Sequence, residues 1–214
     1  MLKSRSYYLI MLAIIVCFIV YVIYMNFIYD PQAASFLDHK LNKKFNAPVW
    51  LNVMYVHVLC ACLAMVSGAI NFSQTILRNY RKLHKINGYV YLAAVIIVDV
   101  TSGYMAPFAT GGKAVSIAFN LLNIVWPIMT VIAILKIRKK QVKAHRKWMT
   151  RSYAFCFTNL FIHTITYILH DGIGIGFVTS YTMGVYGSLL LLPIIAEIIN
   201  IKFHSSTPSE PKFN

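Results

Sequence analysis

Two histidines, His57 and His163, have the residue type and the spacing to bind a haem iron from opposite sides. Each lies inside an apolar stretch, about 10 Å from the same predicted membrane surface at the helical rise of about 1.5 Å per residue. Neutral imidazoles at matched depth on different helices are what a six-coordinate b-type haem requires. The alternative is that each histidine only donates a hydrogen bond between helices, and the sequence leaves both interpretations open.

A second matched pair, His84 and His145, lies where two apolar stretches begin, and each histidine is followed by a cation. This pair could hold a second haem, contact a quinone head group or bind lipid phosphates. His145 and His163 are five turns apart, about 27 Å, which is long for two haems stacked in one bilayer. Haem propionates or anionic head groups would be met by four arginines: Arg78, Arg81, Arg146 and Arg151.

Three further polar residues lie in the same half of the membrane as His57 and His163. Asp99 is roughly 14 Å from the nearer end of its stretch, Asn159 lies at a similar depth, and Asn123 falls in the same half. An ionisable residue in hydrocarbon is costly and is a functional-site hypothesis by default. These residues could orient a histidine ligand through its second ring nitrogen, or form a proton path.

The elements that carry these residues are membrane-spanning helices. Of 214 residues, 58% are hydrophobic and 12% are charged, whereas soluble domains average about 25% charged residues. The net charge of +14 does not indicate nucleic-acid binding, because the cations occur in short runs between apolar stretches and no basic face alternates with aromatic residues. Six stretches reach the roughly 20 apolar residues that a crossing requires: α1 (7–27), α2 (50–77), α3 (86–108), α4 (115–137), α5 (148–169) and α6 (176–201).

The connections between the stretches predict the topology. Lysines and arginines crowd the second and fourth connections, whereas the third has Lys113 alone and the fifth has none. By the positive-inside rule both termini lie in the cytoplasm, and the protein is integral to the cell membrane. The first connection, 30–49, gives the weakest signal, because it holds three lysines against two aspartates.

The fold class predicted is an all-α integral membrane protein with a four-helix core, α2 to α5, and two flanking helices. Polar and small residues recur at steps of three and four on α2, α3 and α5, and polar faces turn inward in lipid. Helix α6 contributes only Glu197, near its predicted cytoplasmic end. Residues 1–202 form a single domain, and 203–214 form a disordered polar tail. The stripe on α5 contains His145, Met149, Ser152, Cys156, Asn159, His163, Thr166 and His170.

Several segments resemble a known family, the bacterial predicted membrane proteins of domain of unknown function 2306. The resemblance covers α2 to α5 and is carried by "HVLCACLAMVSGAINF", "LHKINGYVYLAAVIIVDVTSGYMA", "GG" and "AHRKWMTRSYAF". Its two most specific elements are H-[RK]-x-x-G-x-x-Y and H-R-[RK]-W-M-x-R-S-Y. The resemblance implies a polytopic membrane protein without an assigned activity, in which His57, His84 and His145 match motif histidines.

One position departs from this family pattern. Late in α5 the pattern has an arginine where this sequence has His163, so an anion or a propionate could occupy that place instead of iron. The layout is also similar to that of two-haem cytochrome b proteins with a four-helix core, which is an analogy of fold alone.

Three functions remain open on the sequence. The first is a redox protein that binds one or two b-type haems and exchanges electrons with a quinone or another membrane redox partner. The second is a non-redox carrier or a proton or ion pathway with a polar cavity. The third is an accessory subunit of a membrane complex. In each case the lipid bilayer is a partner and nucleic acid is not.

Overall fold

The computed structural model describes residues 2–34 and 46–204. All regular secondary structure in this part of the chain is helical. Residues 35–45 of the first connection lie outside the described residues, as do residues 205–214 of the predicted polar tail, 203–214. Residues 203 and 204 of that predicted tail are helical.

Among the described residues, six helices are long and apolar enough to cross a membrane, which confirms the predicted fold class. The first is unbroken over Leu2–Tyr24 and ends in a π-helical turn, Met25–Tyr29. The six spans are α1 (Ser6–Tyr29), α2 (Ala47–Asn71), α3 (Arg81–Phe108), α4 (Gly112–Arg138), α5 (Val142–Gly172) and α6 (Phe177–Lys202).

Helices α2 to α5 form a closed ring. Helix α3 packs against both α2 and α4, and α5 packs against α4. The ring closes where the Tyr153 hydroxyl of α5 donates to the Met65 carbonyl of α2, at 2.8 Å. The predicted four-helix core is therefore present in the structure.

Helices α1 and α6 lie on the outside of this ring, on either side of α5. Helix α1 reaches α2 through the Tyr8 hydroxyl, which donates to the Ala69 carbonyl at 3.1 Å. Helix α6 packs against α5 and also contacts α4. It contributes more than Glu197, because it also buries three polar residues: Ser180, Ser188 and Asn200.

Two connections between helices add detail to the predicted topology. Helix α2 ends at Asn71 instead of residue 77, and Ser73 caps a short separate helix, Gln74–Asn79, by accepting from the Ile76 amide. The α3–α4 turn passes through Gly111 and Gly112, whose φ angles are 92° and 65°. Only glycine adopts this left-handed conformation without strain, which explains the "GG" pair.

Helix α5 is interrupted in its middle. It is α-helical over Val142–Ala154, tightens to a 3₁₀ turn at Phe155–Phe157, and resumes over Thr158–Tyr167 before a π-helical turn, Ile168–Gly172. A 3₁₀ turn has about 3.0 residues per turn instead of 3.6, so it rotates every later side chain relative to the earlier ones. The predicted continuous stripe is broken for this reason: Ser152 and Thr158 are buried, whereas Asn159 and His163 are exposed on the bundle surface.

Candidate functional site

One end of the bundle, which we call the basic end, is formed by the connections α2–α3 and α4–α5. The start of α1 and the end of α6 lie there too, since the Lys202 ammonium lies over the Tyr7 ring, 5.1 Å from its centroid. The Asn200 amide of α6 also donates to the Lys147 carbonyl of α5 at 3.3 Å. The first and the last membrane helix therefore begin and end, respectively, on the side of the bundle that carries most of the cations.

At the basic end the structure brings His84 and His145 together. His84 begins α3 and His145 begins α5, and His84 lies within electrostatic range of both His145 and the Arg146 guanidinium. Both imidazoles are half-buried. The pair predicted from the sequence is thus a spatial pair.

A hydrogen bond fixes the orientation of His145. Its Nδ1 lies 2.8 Å from the carbonyl oxygen of Ala133 on α4. Because a carbonyl only accepts, Nδ1 carries a hydrogen, and the other ring nitrogen, Nε2, holds the lone pair of the neutral ring. Histidines that ligate metals are commonly oriented in this way, with one nitrogen bound to a carbonyl and the other open.

The four arginines predicted to meet propionates or anionic head groups are not equivalent. Arg78 ends the short connecting helix and Arg81 begins α3, and both are exposed. Arg146 lies beside the histidine pair. Arg151 binds Glu197 of α6 through two hydrogen bonds, of 2.5 and 3.2 Å, and its guanidinium lies 4.5 Å above the Trp148 ring.

Below the histidine pair lies a set of buried hydroxyl groups, which we call the hydroxyl cluster: Tyr91, Thr130, Ser152 and Tyr153. Thr130 donates its single hydroxyl hydrogen to the Trp126 carbonyl at 2.9 Å, so its oxygen accepts from Ser152 at 2.7 Å. Ser152 in turn accepts from Tyr91 at 2.8 Å. Every hydroxyl in the cluster has a partner, and the chain of donors joins α3, α4 and α5.

Tyr153 connects the hydroxyl cluster to α2. Its ring lies directly against the α-carbon of Gly68, where a β-carbon would overlap the ring. It also packs against Tyr91, with ring centroids 6.4 Å apart. The two sequence elements therefore pack side by side, with His84 near His145 and Tyr91 hydrogen-bonded to Ser152. These elements are H-[RK]-x-x-G-x-x-Y on α3 and H-R-[RK]-W-M-x-R-S-Y on α5.

In the other half of the bundle, His57 joins α2 to α3. Its Nδ1 lies 3.0 Å from the Thr101 hydroxyl, which itself donates to the Ile97 carbonyl at 2.7 Å. The Thr101 oxygen therefore accepts, His57 donates from Nδ1, and its Nε2 keeps a lone pair. The His57 ring also lines a cavity of about 60 Å³ between α1, α2 and α5, together with Cys156 and Asn159.

His163 contacts a different helix from the one that His57 contacts. It lies one turn beyond Asn159 on α5, and its ring stands edge-on to Tyr21 of α1, with centroids 6.4 Å apart. The structure thus places His163 at the α1–α5 contact and His57 at the α2–α3 contact. His170, at the far end, bonds to the Ile175 carbonyl at 2.8 Å and is exposed.

Asp99 on α3 and Asn123 on α4, which we call the Asp99 pair, both carry buried polar atoms without a partner. Asp99 is 9% exposed, and both of its oxygens are buried without a hydrogen-bond partner. The Nδ2 of Asn123 is also buried without a partner. A β-carbon on Gly103, one turn after Asp99, would lie 4.0 Å from that Nδ2. The donor of Asn123 and the acceptors of Asp99 are therefore unused in the described part of the chain.

Sequence reasoning missed two features of the site. Thr130 was overlooked, although it lies two turns after Asn123 on one face of α4, a spacing that would have identified it. The contact of Tyr153 with Gly68 had no local signal, because it joins residues far apart in the chain. Among the described residues, no group of three or more His, Cys, Asp or Glu side chains could hold a metal ion.

Comparison with known proteins identifies a family. A family model described as predicted membrane protein (DUF2306) matches residues 54–200, which is most of the chain and includes both sequence elements. Neither the comparison with curated proteins nor that with solved structures gave a match.

Proposed function

We propose that this chain, which belongs to the DUF2306 family of predicted membrane proteins, is a b-type haem protein that passes electrons within or across the membrane. The observation that carries the proposal is the approach of His84 and His145 at the basic end. A b-type haem needs two protein ligands for a six-coordinate iron, because the macrocycle supplies the other four. A cluster of three or more ligands is therefore not required.

The donor set at the basic end suits this cofactor. The two imidazoles come from different helices, and the bond from His145 to the Ala133 carbonyl leaves Nε2 as the coordinating nitrogen. Helix bundles commonly build cofactor sites from side chains on facing helices.

The charges at the basic end also suit the cofactor's two propionates. Arg146 lies beside His84, and Arg78 and Arg81 are exposed at the same end. A guanidinium binds a carboxylate through two parallel hydrogen bonds. Arg151 already makes such a contact with Glu197. We assign the propionates to Arg78 and Arg81, which are exposed at this end.

The cavity beside His57 is smaller than a haem site requires. Sites for ligands of drug size occupy about 300–1,000 Å³, whereas the cavity at His57 is about 60 Å³, enough for roughly four water molecules. His163 packs against Tyr21 instead of this cavity. A haem between His57 and His163 stays a prediction, and we place the proposed site at the basic end.

When bound, the haem would supply a one-electron carrier. The residues of this chain would orient it: His84 and His145 on the iron, and the arginines on the propionates. The hydroxyl cluster holds the helices that carry the two histidines. A quinone in the bilayer, or another membrane redox protein, would exchange the electrons.

The test is a reduced-minus-oxidised difference spectrum of protein purified from haem-replete cells. We expect b-type bands in the wild type, and their loss in His84→Ala and in His145→Ala. His170→Ala is the matched control, since this histidine is exposed at the far end, and it should keep the bands. His57→Ala and His163→Ala report separately on a second haem. Wild-type protein that is folded by size-exclusion chromatography and shows no haem bands would refute the proposal.

A second candidate is a non-redox proton or ion pathway, and the unused polar atoms of the Asp99 pair favour it. Its test is uptake into liposomes driven by a pH gradient, which Asp99→Asn should abolish while His145→Ala retains it. Co-purification with a partner protein, in the absence of haem and of transport, would instead favour an accessory subunit.

A further inference from the structure

A groove lies on the surface of the bundle where α4 and α6 separate. At the far end the two helices touch, since the Tyr186 hydroxyl of α6 donates to the Ala114 carbonyl of α4 at 2.9 Å. Nearer the basic end a gap of about 190 Å³ opens between them. We call it the α4–α6 groove, and its lining includes Leu121, Val125 and Met129 of α4, Phe155 of α5, and Leu189 and Pro193 of α6.

The depth and the lining of the groove select an apolar occupant. Every side chain that lines it is apolar. Its α4 wall, from Leu121 to Met129, occupies the middle of the span Gly112–Arg138, which is the level of the hydrocarbon. A void at this level costs the lining atoms their contacts. A hydrocarbon chain from the bilayer restores those contacts.

The helix faces that form the groove carry cations where they approach the basic end. On α4, Lys136 is seven residues after Met129 and therefore on the same face, about 10 Å further along the helix. On α5, Arg151 lies one turn before Phe155, with its guanidinium 4.5 Å above the Trp148 ring. Tryptophan is enriched at the level of lipid head groups. The groove thus runs from hydrocarbon to a cationic rim.

This rim can bind an anion. The Nε and Nη2 atoms of Arg151 donate to Glu197, which leaves both hydrogens of Nη1 for an oxygen outside the described part of the chain. Lys147 lies within electrostatic range of the same carboxylate. At this end of the described chain Glu197 is the one carboxylate, against the three cations Lys136, Lys147 and Arg151. The rim therefore keeps an excess of positive charge.

We propose that the α4–α6 groove binds one phospholipid with an anionic head group. One acyl chain lies in the groove over Phe155, and the head group meets the cationic rim at Lys136 and Arg151. Basic pockets between membrane helices bind anionic head groups in this manner. The site does not depend on a haem, because His145 lies on another face of α5 from Arg151 and Phe155.

The experiment is native mass spectrometry of the full-length protein, released from vesicles of equal phosphatidylglycerol and phosphatidylcholine. We expect one retained phospholipid, mostly the anionic phosphatidylglycerol. Val125→Phe fills the groove and should lose the retained lipid. Ile124→Phe is the matched control, since this neighbouring side chain is exposed on another face of α4, and it should keep the lipid. Leu121→Trp, at the exposed edge of the groove, replaces Val125→Phe if that variant does not fold.

The head group is tested at the end of α4. Lys136→Gln should lower the preference for phosphatidylglycerol about fivefold, whereas Arg138→Gln, two residues later on the opposite face, should not. No retained lipid in the wild type, or unchanged retention in the folded groove variant, would refute the site. Equal retention of both lipids would overturn the anionic head group. Displacement by glycerol 3-phosphate, which has no chains, would show a free-phosphate site, and a dimer that Val125→Phe dissociates would show that a second copy covers the groove.

Discussion

The hydroxyl cluster and the Asp99 pair lie on the same helices, yet their buried polar atoms differ in one respect. Tyr91 and Asp99 are two turns apart on α3, about 12 Å. Every hydroxyl of the cluster donates to a partner within the protein. Both oxygens of Asp99 and the Nδ2 of Asn123 have none.

This difference separates polar groups that stabilise the packing of the helices from polar groups that do not. A buried polar group that is satisfied within the fold stabilises the packing of the helices that share it. A buried polar group without a partner lowers stability, because no hydrogen bond offsets the loss of its hydration. Removing a side chain should therefore have opposite effects in the two regions.

The largest effect is expected where the hydroxyl cluster meets α2. In Gly68→Ala the new β-carbon would overlap the Tyr153 ring, and overpacking of this kind costs about 1–3 kcal/mol or more. Thermal unfolding in detergent should show a large decrease in Tm. Gly88→Ala is the matched control, because its β-carbon would lie 3.5 Å from the Asn71 amide, an ordinary contact. Equal losses in both variants would mean that the Tyr153 contact is not specific.

A smaller effect is expected within the cluster itself. Ser152→Ala removes the group between Tyr91 and Thr130, and interhelical hydrogen bonds in membrane proteins are each worth about 0.6–1.7 kcal/mol. The free energy of unfolding should decrease by about 1–2 kcal/mol. Ser188→Ala is the control, since this equally buried serine bonds only to the Val185 carbonyl of its own helix. A Ser188→Ala variant as unstable as Ser152→Ala would show that the cluster adds nothing beyond ordinary burial.

Much of the fold follows from local sequence. The six apolar stretches have the length of a bilayer crossing, and the inward faces of α2 and α3 follow from spacings of three and four residues. Ala64 and Gly68 on α2, and Val95 and Asp99 on α3, are buried as that phase predicts. The pairing of His84 with His145 also follows, because both begin helices at the end where the cations lie.

The remaining features depend on contacts that local sequence does not encode. The 3₁₀ turn at Phe155–Phe157 contains neither glycine nor proline, so nothing in the sequence marks the rotation that separates Ser152 from His163. The partner of Arg151 is Glu197 on α6. Local sequence does not show that α5 and α6 pack together, so it does not identify this carboxylate. For these reasons the sequence predicted the helix that carries His163 but not the side chain that His163 contacts.

The most direct measurement compares the thermal unfolding of Asp99→Asn with that of Ser152→Ala in the same detergent. Asp99→Asn removes no hydrogen bond to the protein and no ion pair, so its free energy of unfolding should stay within about 0.5 kcal/mol of the wild type or increase. Ser152→Ala should be clearly less stable. A loss of stability in Asp99→Asn as large as that in Ser152→Ala would contradict the distinction between a hydrogen-bonded structural cluster and a pair without partners.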